Sequence, residues 1–433
     1  MIQKNVNEKL MYKYPTLTEE QKYILEQLLS QKDLFSSFPL IQALNGLSKK
    51  KLIGLEEAIL QLDQNQRVLF FQHALPKMAQ YSLELLNSPP KKELLESQGT
   101  VQFTRKEIYS FLSLAFFGLL KVQHESFPPH CNLYFILKEQ PEKAKCYLHY
   151  FITANKNLED ELITLERIEF DANYHIQQFF QNNQGNQILD IKLWSNCDKS
   201  LQKFEFVDTF LEEQQNAVIV DFANKYVGGG VLHTGCVQEE ILFTIMPENI
   251  IAVLFSKVLS KTEVIIIKNT IRYCDYLGYG YSFHFVQREP SNLNQNILVL
   301  DALYYGDYST LQFESKSILR EINKAFIGFS LSQSAKEEDF LLPISTGKWG
   351  CGAFRGNCEL KTLIQLIAFS ASRKRIDQQR RMIFSTFEDE QLQFYKRDID
   401  LIIDKYKSVG KLFQQLLNIT DQNNVFKYLL SLQ

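Results

Sequence analysis

Apolar positions recur every three to four residues through the first third of the chain, and that spacing predicts helices. Thr18 followed by Gln21 forms a capping box ahead of Tyr23, Ile24, Leu28 and Leu29. The same period runs over residues 52–62, 68–86 and 106–120, with Pro89-Pro90 and Pro128-Pro129 as punctuation because proline cannot continue a helix. The run at 108–120 is the longest apolar one; at about 13 residues it falls short of the ~20 that a membrane helix needs, so it reads as a buried core helix.

Past about residue 160 the period changes. Short β-rich runs stand at 188–194, 217–222, 264–267, 281–286, 297–300 and 382–387. Helical patterns lie between many of them, near 250–259, 317–325, 360–372 and 390–406. Strands alternating with helices predict a sheet covered on both faces, in the α/β manner. The change falls near 155–185, where Asn and Gln are dense. The expected division is an all-helical domain over 1–160 and an α/β domain over 161–433.

Composition adds limits. At 433 residues the chain is too long for one ordinary core. A formal charge of -3 gives no case for binding duplex nucleic acid. The basic runs Lys49-Lys50-Lys51, Arg373-Lys374-Arg375 and Arg380-Arg381 read as solvated helix ends or turns. The first fifteen residues mix Lys, Glu and Asn with apolar positions, so no signal peptide is expected; no membrane association and an intracellular place, nucleus or cytoplasm, are expected as well. The seven cysteines show no CxxC pair or zinc spacing, which predicts free, mostly buried thiols and no metal. The 33 Phe and 20 Tyr are well above usual; most must be core, and some can serve as surfaces on which a base stacks.

Chemistry concentrates in VDFANKYVGGGVLHTGCVQEEILF, residues 220–243. Asp221 ends an apolar strand and Asn224 follows, where α/β proteins place ligand contacts. Gly228, Gly229 and Gly230 carry no side chains, so their N–H groups can converge on a phosphate. There is no Walker lysine and no GxGxxG spacing. Gln238, Glu239 and Glu240 then open a helix. Adjacent helical positions diverge by about 100°, so the two acids are not expected to flank one sugar from both faces, as the usual glycosidase pair does. One moves the proton and the other holds hydroxyls.

GGG, seven residues, then QEE, preceded by VDFANKYV, resembles the signature of the poly(ADP-ribose) glycohydrolases. Further blocks follow in that family's order. Tyr276-Leu277-Gly278-Tyr279 is similar to the segment whose tyrosine packs over the nucleotide. Trp349-Gly350-Cys351-Gly352-Ala353-Phe354 is similar to the second phosphate-contacting loop, Leu360-Lys361 with Leu363-Ile364-Gln365 to the next helix, and Ser385-Thr386-Phe387 to the strand end facing adenine. The resemblance implies an all-helical accessory domain followed by a macrodomain-like catalytic domain, a mixed sheet flanked by helices, that cuts ribose–ribose bonds of poly(ADP-ribose). It implies Glu240 as general acid and base and Glu239 on the ribose hydroxyls with Asp221, Asn224 and Gln238. Gly228, Gly229 and Gly230, with Gly350, Gly352, Ala353 and Phe354, would hold the diphosphate, and Tyr279 and Phe387 the nucleoside. Lys348 departs from the pattern, standing where a small polar residue is expected, and the stretch 373–381 is longer than usual. Glu212 or Glu213 corresponds to the adenine-contacting acid.

No cofactor is implied. The expected partners are poly(ADP-ribose) and poly(ADP-ribosyl)ated proteins, with the chain a monomer. His233 and Cys236 sit inside the loop and are read as incidental. Two alternatives remain: a non-catalytic ADP-ribose reader, and a hydrolase of another ADP-ribosyl bond.

Overall fold

The computed structural model describes residues 10–30, 34–46, 52–154, 161–180, 187–374, 380–387, 389–420 and 422–432. Among them are ten strands: β1 Gly99–Thr104, β2 Leu162–Glu169, β3 Glu205–Val207, β4 Val218–Asp221, β5 Glu263–Thr270, β6 Asp275–Leu277, β7 His284–Val286, β8 Gln295–Val299, β9 Ile344–Thr346 and β10 Met382–Ser385. The chain forms two compact units, neither continuous in sequence. The first takes Met1–Glu166, Tyr226–Val258 and Ile267–Asn294; the second takes Arg167–Lys225, Leu259–Ile266 and Gln295–Gln433.

The first unit is mainly helical. Its helix Glu19–Leu28 starts at the expected capping box: Gln21 N–H donates to Thr18 Oγ1 (3.1 Å) and Thr18 N–H to Gln21 Oε1 (3.0 Å). The apolar run forms the helix Arg105–Phe116, buried from Ile108 through Phe116. The stretch 68–86 is not one helix. It divides into Gln64–Leu69, a π turn at Phe70–Ala74, and Leu75–Asn87. Pro76 lacks the N–H that would bond one turn back, and the wider π turn accommodates the gap. Helices Leu34–Leu44, Tyr134–Glu139 and Pro141–Thr153 join these, and one strand, β1, enters the otherwise helical third, burying Val101 and Phe103 on one face. Many of the surplus aromatics are core: Tyr12, Phe103 and Phe111 ring Phe255 at centroid distances of 4.5–5.2 Å. β6 and β7 pair antiparallel, with Tyr276 opposite Phe285. Only the last part of the run 281–286 is strand, since Gly280–Ser282 is a 3-10 turn.

In the second unit the strand order is β8, β4, β9, β10, β3. The pairs β8–β4, β4–β9, β9–β10 and β10–β3 are parallel. Parallel strands covered on both faces read as unbroken apolar runs, and Val218, Ile219 and Val220 are all buried. Helices Ser315–Ser330 and Cys358–Ala371 share the core with these strands through Ile322, Phe326, Leu363 and Ile367. The architecture is thus α/β, as the alternation predicts.

The expected strand at 188–194 is instead a short helix, Ile191–Ser195. Asp190 caps it, accepting from Leu193 N–H at 2.8 Å, and a local cap outweighs apolar alternation there. Arg380 is not a solvated charge: it is buried and donates to the carbonyls of Leu342 and Phe329. Arg375 and the run at 49–51 lie outside the described residues. Among the described residues no helix is long and apolar enough to cross a membrane, and no cluster of three or more His, Cys, Asp or Glu is placed to hold a metal ion.

Candidate active site

Both glutamates of the QEE run lie in the first turn of the helix Gln238–Ile245, which begins after extended Val237. Glu239 is 3% exposed and Glu240 7%. Neither points to bulk solvent. Glu240 folds back on its own helix start: Oε2 accepts from Val237 N–H (2.9 Å) and Oε1 from Gly230 N–H (2.9 Å). Glu239 Oε1 accepts from Gly228 N–H at 2.7 Å. The angular divergence expected of neighbouring helical positions therefore does not separate the two acids. The glycine loop curls over the helix start and engages one carboxylate on either side of Gly229.

Gly229 has φ +50°, and a Cβ there would stand 2.6 Å from an oxygen of each glutamate. Only a residue without a side chain lets the loop approach so closely. A second glycine has the same role. A Cβ on Gly235 would lie 2.8 Å from Glu240 Oε1. Sequence reasoning passed over Gly235, although its place five residues after the triplet was the available signal.

In the structure the N–H groups of the triple glycine point to partners within the chain. Gly228 N–H is on Glu239, Gly229 N–H on the Tyr226 carbonyl (3.0 Å) and Gly230 N–H on Glu240. All three donors are engaged within the chain. Two of them meet the carboxylates of Glu239 and Glu240.

The rest of the loop is fixed from the helix Pro141–Thr153. Lys143 Nζ donates to the carbonyls of Val231 (2.9 Å), His233 (3.2 Å) and Gly235. Tyr279 reaches the helix start from the β6–β7 hairpin: its hydroxyl accepts from Gln238 N–H (3.1 Å), while Gly280 N–H donates to the Cys236 carbonyl (2.8 Å). The Tyr279 ring remains 43% exposed. The His233 ring centroid lies 4.2 Å from that of Phe135 and 5.6 Å from that of His130. Burial pushes the Cys236 thiol up to about 11, the opposite of what a nucleophile needs.

In the second unit, Asp221 ends β4 fully buried, opposite Val299 of β8, and Asn224 follows three residues on, half-buried. The 350–354 segment is a closed turn. Gly356 N–H donates to the Gly350 carbonyl (2.9 Å), and Gly350, at φ +73°, leaves 2.7 Å between a would-be Cβ and Ala302. Trp349 anchors it from below, with its indole N–H on the Leu300 carbonyl (2.7 Å) and the buried Lys361 ammonium 4.1 Å from its ring. Gly352 and Ala353 are exposed at the crest. The N–H groups of Gly352, Ala353 and Phe354 donate to no other described residue. Open N–H groups in a turn are what an anion site offers.

Phe387 follows β10 at φ +52°, 41% exposed, with its ring 5.2 Å from that of Phe210. The unexpected Lys348 places its ammonium 5.8 Å from the Phe387 ring and bonds Asp389 at 3.2 Å. Of the two candidate acids nearby, Glu212 is buried and Glu213 is exposed.

Comparison with known proteins identifies the family. The family described as "Poly (ADP-ribose) glycohydrolase (PARG), helical domain" matches residues 62–167, and "Poly (ADP-ribose) glycohydrolase (PARG), Macro domain fold" matches residues 191–394. Poly(ADP-ribose) glycohydrolase 1 of Caenorhabditis elegans is 34% identical over 240 residues, 51% of this chain and 30% of that protein. Probable poly(ADP-ribose) glycohydrolase 2 of Arabidopsis thaliana is 27% identical over 343 residues, 69% of this chain and 62% of that protein. The crystal structure of poly(ADP-ribose) glycohydrolase from Thermomonospora curvata aligns with 58% of this chain and 85% of that chain, at 12% identity and a TM-score of 0.32. The chain spans less than two thirds of the length of these two curated relatives. With the helical and macro-domain segments matched in succession, and relatives aligned across much of its length, the chain belongs to the poly(ADP-ribose) glycohydrolase family.

Proposed function

We propose that this chain hydrolyses the ribose–ribose O-glycosidic bonds of poly(ADP-ribose) and releases ADP-ribose, with Glu240 as general acid and base. One observation carries the reading: the Glu240 carboxylate is buried and fixed by two backbone N–H groups. A carboxylate has about four lone-pair positions, so two remain for substrate and water. A proton from Glu240 passes to the departing ribose oxygen as the bond to the anomeric carbon breaks. The carboxylate then takes a proton from the water that attacks this carbon. The oxocarbenium-like charge on the ribose develops beside Glu239 and Glu240, whose negative charge stabilises it.

Glu239 and Gln238 of the first unit hold ribose hydroxyls; Asp221 and Asn224 of the second unit are assigned that role by the family resemblance alone. The N–H groups of the 350–354 loop, at Gly352, Ala353 and Phe354, receive the diphosphate. Tyr279 and Phe387 offer exposed rings to the nucleoside. The ligands of such an enzyme are the polymer and the proteins that carry it.

Purified polymer incubated with the chain and resolved by size tests the reading. Free ADP-ribose or shorter oligomers support hydrolysis. Intact polymer with measurable ADP-ribose binding indicates a reader, and release of ADP-ribose only from a protein side chain indicates hydrolysis of a different bond. Phe387→Ala is expected to weaken ADP-ribose binding by about 1–3 kcal/mol, the worth of one base–aromatic stack. Calorimetric titration measures it, and an unchanged affinity removes Phe387 from the nucleoside site.

A further inference from the structure

A buried lysine held only by carbonyls calls for an explanation, because taking an ammonium out of water is costly. Lys143 is 1% exposed, and its three N–H donors meet the carbonyls of Val231, His233 and Gly235. Burial pushes it down to about 8, partly opposed by the nearby Cys236 and Glu240, so it keeps its charge at neutral pH. The arc from 231 to 235 is the part of the loop that closes over Glu240. Gly235 packs directly on Glu240 Oε1, and Gly235 N–H donates to the Gly230 carbonyl at 3.2 Å, joining both ends of the arc. Glu142, the preceding residue on the same helix, accepts from Phe285 N–H of β7 at 2.8 Å. That strand belongs to the hairpin whose Tyr279 meets Gln238. Consecutive residues of one helix therefore hold both segments that border Glu240.

We propose that Lys143 is a positioning residue for the hydrolysis: its ammonium gathers three carbonyls of the 231–235 arc and so sets where the Glu240 carboxylate stands. The inference rests on the glycohydrolase reading above. It gives the helical third a part in the chemistry, since the clamp comes from the segment matched as the helical domain. Misplacing a catalytic group by about 1 Å costs on the order of 10²-fold in rate, whereas substrate contacts on other residues are left in place. The effect belongs in kcat, with KM nearly constant.

Lys143→Met keeps the stem volume and removes the charge and donors; Lys143→Arg keeps the charge. With purified polymer, K143M is expected to lose about 10–10²-fold in kcat with KM changed less than about threefold, and K143R to retain more kcat than K143M. Amide hydrogen exchange supplies a second readout: in K143M, exchange quickens in the peptide covering 228–240 and stays unchanged in peptides of the second unit. A kcat equal to wild type, or a loss that only follows the unfolded fraction with exchange faster everywhere, overturns the proposal. Should K143M not fold, K143R decides: kcat no better than that of a chain lacking Glu240 defeats it. A wild-type chain that leaves polymer intact defeats instead the glycohydrolase reading and with it the catalytic part; the exchange comparison then still decides whether Lys143 holds the loop.

Discussion

Glu240→Gln is expected to lower turnover of poly(ADP-ribose) by about 10²–10⁴-fold, the range for losing a general acid–base group. The substitution keeps the side chain's shape, so the expectation concerns chemistry. It also has a structural cost that the geometry makes specific. Both oxygens of Glu240 accept from backbone N–H groups, at Gly230 and Val237. A glutamine must turn its NH2 toward one of these donors, leaving a buried N–H unpaired at a cost of about 1–3 kcal/mol. A lowered melting temperature should therefore accompany the loss of turnover, while ADP-ribose binding persists. Initial rates, thermal melts and calorimetric titration check the three parts. A variant that hydrolyses polymer at nearly the wild-type rate would remove Glu240 from the mechanism.

Gly229→Val should be nearly as damaging, for a different reason. At φ +50° an ordinary side chain is strained by roughly 1–2 kcal/mol. A Cβ would lie 2.6 Å from an oxygen of each glutamate, so the branched side chain must push both carboxylates away. A fall in kcat of at least about 10²-fold is expected, and Gly229→Ala should lie between. The split between constants discriminates two roles for the loop. If kcat collapses while ADP-ribose affinity holds, the glycines serve the carboxylates, as the occupied N–H groups indicate. If affinity collapses and kcat at saturation holds, the loop binds phosphate, as the bare sequence suggests.

Much of the frame was legible because its causes are local. The Thr18 cap, the apolar strand ending in Asp221 and the buried run after Arg105 each depend on neighbours in sequence. The segment at 188–194 misled because Ile188, Ile191 and Leu193 share their apolar character with strands, while one carboxylate, Asp190, decides for helix. The run 68–86 misled through Pro76, whose missing N–H is absorbed by a π turn that no periodicity announces. At the site, residue identities were legible and donor assignments were not. The sequence showed glycines beside glutamates; whether those N–H groups face an anion or the protein's own acids depends on how the loop folds back. Lys143 left no signal at all, since its partners are main-chain carbonyls, which every residue possesses.

The clamp on the loop spans a long stretch of chain: Lys143 precedes Val231 by 88 residues and Gly235 by 92. Contacts of such separation carry a large loop-closure entropy and tend to form late and slowly. During synthesis, which runs from the N-terminus, the helix Pro141–Thr153 emerges well before the arc it will hold. For that interval Lys143 has none of its three carbonyls and must stay hydrated at the surface of an incomplete unit. Maturation of the catalytic geometry is thus a docking event, in which a late segment settles onto an early one and drives water off an ammonium ion. Folding rate, rather than final stability, is where such an arrangement exacts its toll, and the contacts that wait for this docking are ones that put Glu240 in place.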